Sequence, residues 1–392
     1  MFAVQDLLRE AGHTVVPFAM RYARNEDAPS ADYFPRPPVD DEFVYYGDRA
    51  LGPREQARLA RRVVRDREVY GAAARILAEE RIDVVYALQI AHYLYPDLLL
   101  AARDAGVPAV MRLSDYQMIC PAYNCLRDGK PCFLCRHSLV PALVHRCLKK
   151  SLPVTATRVL AMTYARTRGV PQSVAMYVTP SEFLAERMRD AGFAAQRLTH
   201  LPTPLVLPSD PGPPPDDGPL LYVGGLFEAK GIETAIDAVA GTGRKLVIAG
   251  DADTPYGRHL QAHVQLKGIS EVEFAGFLEG EHLEQQYAAA RAVVVPSIWW
   301  ENTPHSALEA LARRRPVLAA KHGSLPETVT DGDTGILFEP GDADSLRAAI
   351  VRLDQPGLAD KLGSAGRELI ARKHDPQLHL QNLIALLQGV LR

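Results

Sequence analysis

Long apolar runs are missing from these 392 residues: no stretch approaches the roughly 20 apolar residues that a membrane-crossing helix needs. Dense runs of lysine and arginine are missing too, and a formal net charge of −3 offers little to a phosphate backbone, so nucleic acid is not expected as a partner. Lys149 and Lys150, near Arg146, make a short basic pair that leaves open no more than weak membrane-surface association. The opening MFAVQDLLREAG reads as a helix rather than a secretory leader, which makes the cytoplasm the expected location. Cysteine is scarce, and all five residues lie between Cys120 and Cys147. An odd number cannot pair completely as disulfides, and the expected compartment disfavours them. What is present, 47% hydrophobic and 23% charged residues, is ordinary for a globular protein with length enough for two domains.

Apolar segments alternate with helical patterns along the chain. AVQDLLREAGHTVVPFAM reads as a helix ended by Gly12 and then a strand, while IDVVYALQI and VPAVMRLS are strands flanking the helical YPDLLLAARDAG. PTPLVLPSDPGPPPDDGP, Pro202 to Pro219, is too rich in proline for regular structure and reads as a linker. A second alternating series follows: LLYVGG, IETAIDAVA, KLVIAG, HLQAHVQLKG and VEFAGF. The pattern predicts an α/β protein with doubly wound parallel sheets.

The densest chemical signal is VVVPSIWWENTPHSALEALARRRPVLAA, Val293 to Ala320. The valine run predicts a buried strand, and Thr303 with Pro304 predicts an N-cap and first-turn proline. Arg313, Arg314 and Arg315 suit the negative end of the helix dipole, and Pro316 stops the helix. Glu301 then falls in a loop at the carboxyl end of a strand, where open α/β sheets bind ligands, and free N–H groups of His305, Ser306 and Ala307 attract phosphate. Glu309 lies two turns into the helix, its side chain leaning back toward the tip. One carboxylate can accept hydrogen bonds from sugar hydroxyls and the other from ribose, with a diphosphate between them.

PSIWWENTP, ALEAL and RPVLAA, followed by HGSLPETV and DGDTGILFEPGD, resemble the donor-site signature of retaining glycosyltransferases with the GT-B fold, the large family 4 type. The resemblance implies two Rossmann-like domains facing a cleft. It implies an N-terminal acceptor-side domain over 1–205, a Pro-rich linker over 206–219, a nucleotide-sugar domain over 220–375, and a helix over 376–392 crossing back. Relatives begin with a strand and glycine-rich loop ahead of a helix like MFAVQDLLREAGHTV, so a mis-set or truncated start is expected here. The resemblance further implies sugar transfer from a nucleoside-diphosphate sugar to a glycan, lipid-linked or small-molecule acceptor, with retention and no catalytic cofactor. Donor-binding residues would be Gly224, Gly225, Lys230, Phe277, Leu278, Glu301, Asn302, Thr303, Pro304 and Glu309. Catalytic roles would fall to Glu301, Lys230, Ser114 and Asp115.

Two positions depart from the pattern. Gly225 stands where relatives usually carry an arginine, and Ser114 where they commonly carry a histidine beside the transferred sugar; serine cannot serve there as cation or neutral-pH base. Both departures keep two alternatives alive: a non-catalytic sugar-nucleotide or glycan-binding relative, and a nucleotide-sugar epimerase. His92 is a further cleft candidate. Asp251 with Asp253, and Asp331 with Asp333, are expected to be turn aspartates rather than cation ligands.

In the cysteine segment, 116–150, a C-x2-C core of Cys132 and Cys135 is flanked at equal distance by Cys120 and Cys147, with Cys125 the extra. Four thiolates with one tight knuckle suit structural zinc, against free buried thiols or an iron–sulfur cluster. The segment also resembles a cysteine-bearing insertion in a subset of these transferases.

Overall fold

The computed structural model describes residues 2–39, 51–90 and 93–392. Its first sheet is parallel. It contains β1 (Val85–Leu88) and β2 (Ala109–Arg112), after which a short antiparallel hairpin, β3 (Leu126–Arg127) with β4 (Lys130–Pro131), stands outside the sheet. The chain returns as β5 (Val174–Thr179) and β6 (Leu198–His200), giving the order β1-β2-β5-β6. Both faces of such a sheet must be covered, so its strands read as continuous apolar runs.

The second sheet is also wholly parallel. Its strands are β7 (Leu220–Val223), β8 (Leu246–Ala249), β9 (Val272–Gly276), β10 (Ala292–Val295), β11 (Val317–Ala320) and β12 (Gly335–Phe338). They lie in the order β12-β11-β10-β7-β8-β9. The chain therefore starts at the centre, builds one side, then jumps back beside β7 to build the other. The strand order reverses between β7 and β10, the position at which open α/β sheets bind ligands. Every residue of β10 and β11 is buried.

The helix Pro376–Val390 brings the chain's end back to the first sheet. Its Leu383 is buried against Val110 of β2, Val178 of β5 and Leu201, with Leu386, Leu387 and Val390 beside it. Val4 and Leu8 of the helix Phe2–Glu10 share that face. Asp375 caps the last helix by accepting the N–H of Leu378 at 2.7 Å.

The proline-rich stretch is irregular but tethered. Leu205 donates its N–H to the His374 carbonyl at 2.9 Å, Arg315 reaches the Gly212 carbonyl and Arg367 the Pro208 carbonyl, each at 2.8 Å. One expected element is missing: His13–Met20 forms no strand. Alternation of apolar residues makes a strand only when a neighbour takes up its row of N–H and C=O groups, and among the described residues none does. His92 lies outside the described residues.

Truncating Leu383 to alanine should cost about 2–5 kcal/mol in urea unfolding, because it empties a fully buried position between the last helix and the first sheet.

Candidate active site

The crevice is built on glycine and on one buried carboxylate. Gly231, which opens the helix Ile232–Val239, has φ of +64°, and a Cβ there would sit 2.1 Å from the Pro296 carbonyl oxygen. Only glycine lets the segment after β7 run that close to the segment after β10. The contact sets Lys230, the preceding residue, against the loop that carries Glu301. Lys230 Nζ donates to Glu301 Oε1 at 2.7 Å, and Ser297 Oγ donates to the same oxygen at 2.6 Å. Ser297 is itself held where its carbonyl meets His322 Nε2 at 2.6 Å.

Glu301 is only 5% exposed. Burial opposes its charge, but the charge and hydrogen bond of Lys230 outweigh that cost, with Ser297 adding to them, and the carboxyl is held below its ordinary value of 4.5. Lys230 has three donors, so one spent on Glu301 leaves two for a ligand. Its ammonium also stands over the rings of Trp299 (5.3 Å) and Phe227 (5.6 Å).

The helix after β10 spans His305–Ala312 and starts one residue later than the sequence suggests. Pro304, not Thr303, is the N-cap; its carbonyl accepts the N–H groups of Ala307 and Leu308. Among the described residues, the unpartnered N–H groups at the tip are therefore those of His305 and Ser306, not Ala307. Local capping preference loses here because the preceding loop is fixed by Glu301 and by Asn302, described next. Thr303 Oγ1 is left buried without a partner among the described residues, the kind of orphan that a ligand or water satisfies.

Glu309, further along the helix, accepts from Tyr287 Oη at 2.9 Å through one carboxylate oxygen. Burial lowers the His305 pKa from its ordinary 6.5 and the charge of Arg112 lowers it further, while the charges of Glu309 and Glu301 raise it. Arg112, whose charge is felt at His305, comes from the end of β2.

Asn302 was expected among donor contacts, but both ends of its amide are used across the domains. Its Oδ1 accepts from Ser181 Oγ at 2.9 Å, and its Nδ2 donates to the Leu113 carbonyl at 3.2 Å. Glu327 makes a second link, taking the N–H groups of Glu182 and Phe183 that open the helix Glu182–Asp190. Trp300 makes a third. Its ring packs on Phe183, Phe133 and Tyr116 at centroid distances of 5.2, 6.0 and 6.4 Å, with the Arg187 guanidinium 5.9 Å from it.

On the first-domain side, Ser114 Oγ accepts from Arg112 Nη1 at 3.2 Å, and Arg112 Nη2 donates to Thr203. Burial pushes the Asp115 carboxyl up, while Asp115 Oδ1 accepts the Gln117 N–H at 2.8 Å, a turn-forming bond. Gly224 and Gly225 follow β7, and the Gly225 carbonyl accepts from Tyr222 at 2.9 Å. Phe277 is 72% exposed, which rules out a core role for its ring; Leu278 instead packs against the core. Asp251 accepts the Asp253 N–H within a turn, whereas Asp331 pairs with Arg352 and accepts the Leu337 N–H. Arg112, Trp300 as a domain bridge, and Glu327 escaped sequence reasoning; a strand-end arginine has no signal apart from its tertiary surroundings.

Residues 207–369 match the family model described as "Glycosyl transferases group 1". An α-D-kanosaminyltransferase of Streptomyces kanamyceticus is 31% identical over 41% of this chain, and the match spans 42% of that relative's length. A 2-deoxystreptamine glucosyltransferase of the same organism is 28% identical over 69% of this chain and 68% of its own. Among solved structures, a sucrose-phosphate synthase from Thermosynechococcus elongatus superimposes with a TM-score of 0.69 at 21% identity, over 99% of this chain and 91% of that one. The fold is GT-B, and residues 207–369 are similar to the group 1 glycosyl transferases.

Removing the Lys230 ammonium should leave Glu301 charged and buried alone. Lys230→Ala is expected to cost about 3 kcal/mol in denaturant unfolding at pH 7. The sign in acid follows from the lowered carboxyl: the stability it contributes is complete above pH 4.5 and is lost as pH falls below that value. The stability gap between wild type and Glu301→Gln should therefore narrow as unfolding is measured from pH 6 down to pH 3.

Proposed function

We propose that this chain is a glycosyltransferase that moves a sugar from a nucleoside-diphosphate sugar to an acceptor hydroxyl, with retention of anomeric configuration. The observation that carries the reading is the buried Lys230–Glu301 pair in the loop that leads into the helix His305–Ala312, at the point where the second sheet reverses its strand order. Phosphate suits the His305 and Ser306 N–H groups together with Lys230, which adds a point charge at the positive end of the helix dipole. In this reading Lys230 and the helix tip supply the charge that a divalent cation supplies elsewhere.

Glu309 keeps one oxygen for ribose hydroxyls. The Gly224–Gly225 turn lets backbone approach the diphosphate, and Phe277 offers an exposed ring to the base. Glu301 sets Lys230 and lies beside the sugar. As the bond to the anomeric carbon breaks, negative charge grows on the departing diphosphate, and those fixed donors need no rearrangement to receive it. The diphosphate oxygen on that face takes the acceptor's proton. Ser114 and Asp115, at the end of β2, belong to the acceptor side, where a glycan, a lipid-linked sugar or a small molecule would enter. The domain limits that go with this reading are 1–205 and 220–375, with 376–392 crossing back, and its setting is the cytoplasm.

A panel of nucleoside-diphosphate sugars, assayed for thermal shift, donor hydrolysis and transfer, tests the proposal. The cognate donor should raise the melting temperature and be turned over. Glu309→Ala should weaken nucleotide binding about 10- to 100-fold, the worth of a charge-assisted hydrogen bond. Glu301→Ala should mainly slow transfer, by a factor on the order of 100. Binding without turnover, unchanged in Glu301→Ala, would point instead to the non-catalytic relative; epimerised sugar from donor alone would point to the epimerase.

A further inference from the structure

All five cysteines line one chamber. Cys120, Cys125, Cys132, Cys135 and Cys147 close around about 20 Å³, with Ile119, Phe133 and Ala142 completing its wall. That is room for a single water-sized sphere. None of the five is in a disulfide. The surrounding segment has little else to hold it: a hairpin with two residues in each strand, a three-residue helical turn at Leu134–Arg136 and a six-residue helix at Val140–His145. Segments so poor in regular structure need a staple.

The backbone is shaped to gather sulfur. Asp128 and Gly129 both have positive φ (49° and 72°), the conformation of the tightest hairpin turn. Next to that hairpin the Cys132 N–H donates to the Cys125 carbonyl at 2.6 Å, joining the positions before β3 and after β4. Cys125 is fully buried and lines the same chamber as Cys120.

We infer that this chamber is a structural zinc site in which Cys120, Cys132, Cys135 and Cys147 bind the ion as thiolates, with Cys125 buried beside them outside the ligand set. Among the described residues no group of three or more His, Cys, Asp or Glu side chains is already arranged to hold a metal ion, so binding requires the sulfurs lining the chamber to move together, each thiol giving up its proton to water. Four thiolates complete a tetrahedron and leave no open position, so the ion shapes the fold and takes no part in sugar transfer.

The site also has a reader. Phe133, between two of the ligands, packs edge-on against Trp300, the residue before Glu301, and Arg187 lies over both rings. Zinc would thus order the socket that holds the donor loop from the opposite domain.

The test is elemental analysis of the full chain purified without added metal, joined to thiol titration and substitution with cobalt(II). About one zinc per chain is expected, with an absorption spectrum for the cobalt form typical of a four-thiolate tetrahedron. Cys132→Ser and Cys135→Ser should lose the metal, and Cys125→Ser should keep it. Wild-type protein stripped with a strong chelator should melt roughly 5–10 °C lower and recover on zinc addition. The stripped wild type serves if the serine variants fail to fold. Folded protein without metal, iron with acid-labile sulfide in place of zinc, or loss of zinc from Cys125→Ser but not from Cys147→Ser would each overturn the assignment. None of these outcomes depends on whether the chain transfers sugar.

Discussion

A carboxylate cannot remain charged inside a protein without a cation or several donors facing it, and Glu301 meets that demand through Lys230 and Ser297. The requirement ties together two segments 71 positions apart in the chain, one leaving β7 and the other leaving β10. Because those strands are neighbours at the reversal of strand order, the ion pair spans the floor of the crevice. Gly231 makes the approach sterically feasible and Gly323, whose Cβ would stand 2.8 Å from the Glu301 N–H nitrogen, confines the loop from the other side. The helix tip, Thr303 and Glu309 then inherit their positions from a loop that is already fixed.

The same loop joins the domains. Trp300, Glu301 and Asn302 are consecutive, yet the first packs among aromatic rings of the first domain, the second pairs within its own domain, and the third bonds to Leu113 and Ser181 across the crevice. Any movement of one domain against the other must therefore be felt at Glu301. That arrangement suits chemistry in which water is excluded before the donor bond breaks.

The fold was legible where short apolar runs alternated with amphipathic helices, since parallel strands buried on both faces have little freedom in composition. VVV, LVIA and VLAA each became a fully buried strand. His13–Met20 was misread because a strand is defined by its neighbour, which a linear pattern does not reveal. Of the candidate site residues, Glu301, Glu309 and Lys230 stand out in the sequence because they share one compact block or follow a glycine turn, and the structure brings Lys230 and Glu301 together. Asn302 was placed in the right loop, but its bonding was not legible: its partners lie 121 and 189 positions away. The late helix start has the same origin, tertiary ties overriding local capping preference. Cys125 looked surplus by spacing, and only the chamber shows that it faces the other four.

The central claim is that Lys230 and the helix tip grip a pyrophosphate. Equilibrium titration of the full chain with matched pairs, each common nucleoside beside its diphosphate, measures that grip alone. For one base, the diphosphate should bind at least about 100-fold more tightly than the nucleoside, a difference of about 2.8 kcal/mol from charge-assisted contacts. Equal affinities within that pair, with the nucleoside clearly bound, would contradict the account.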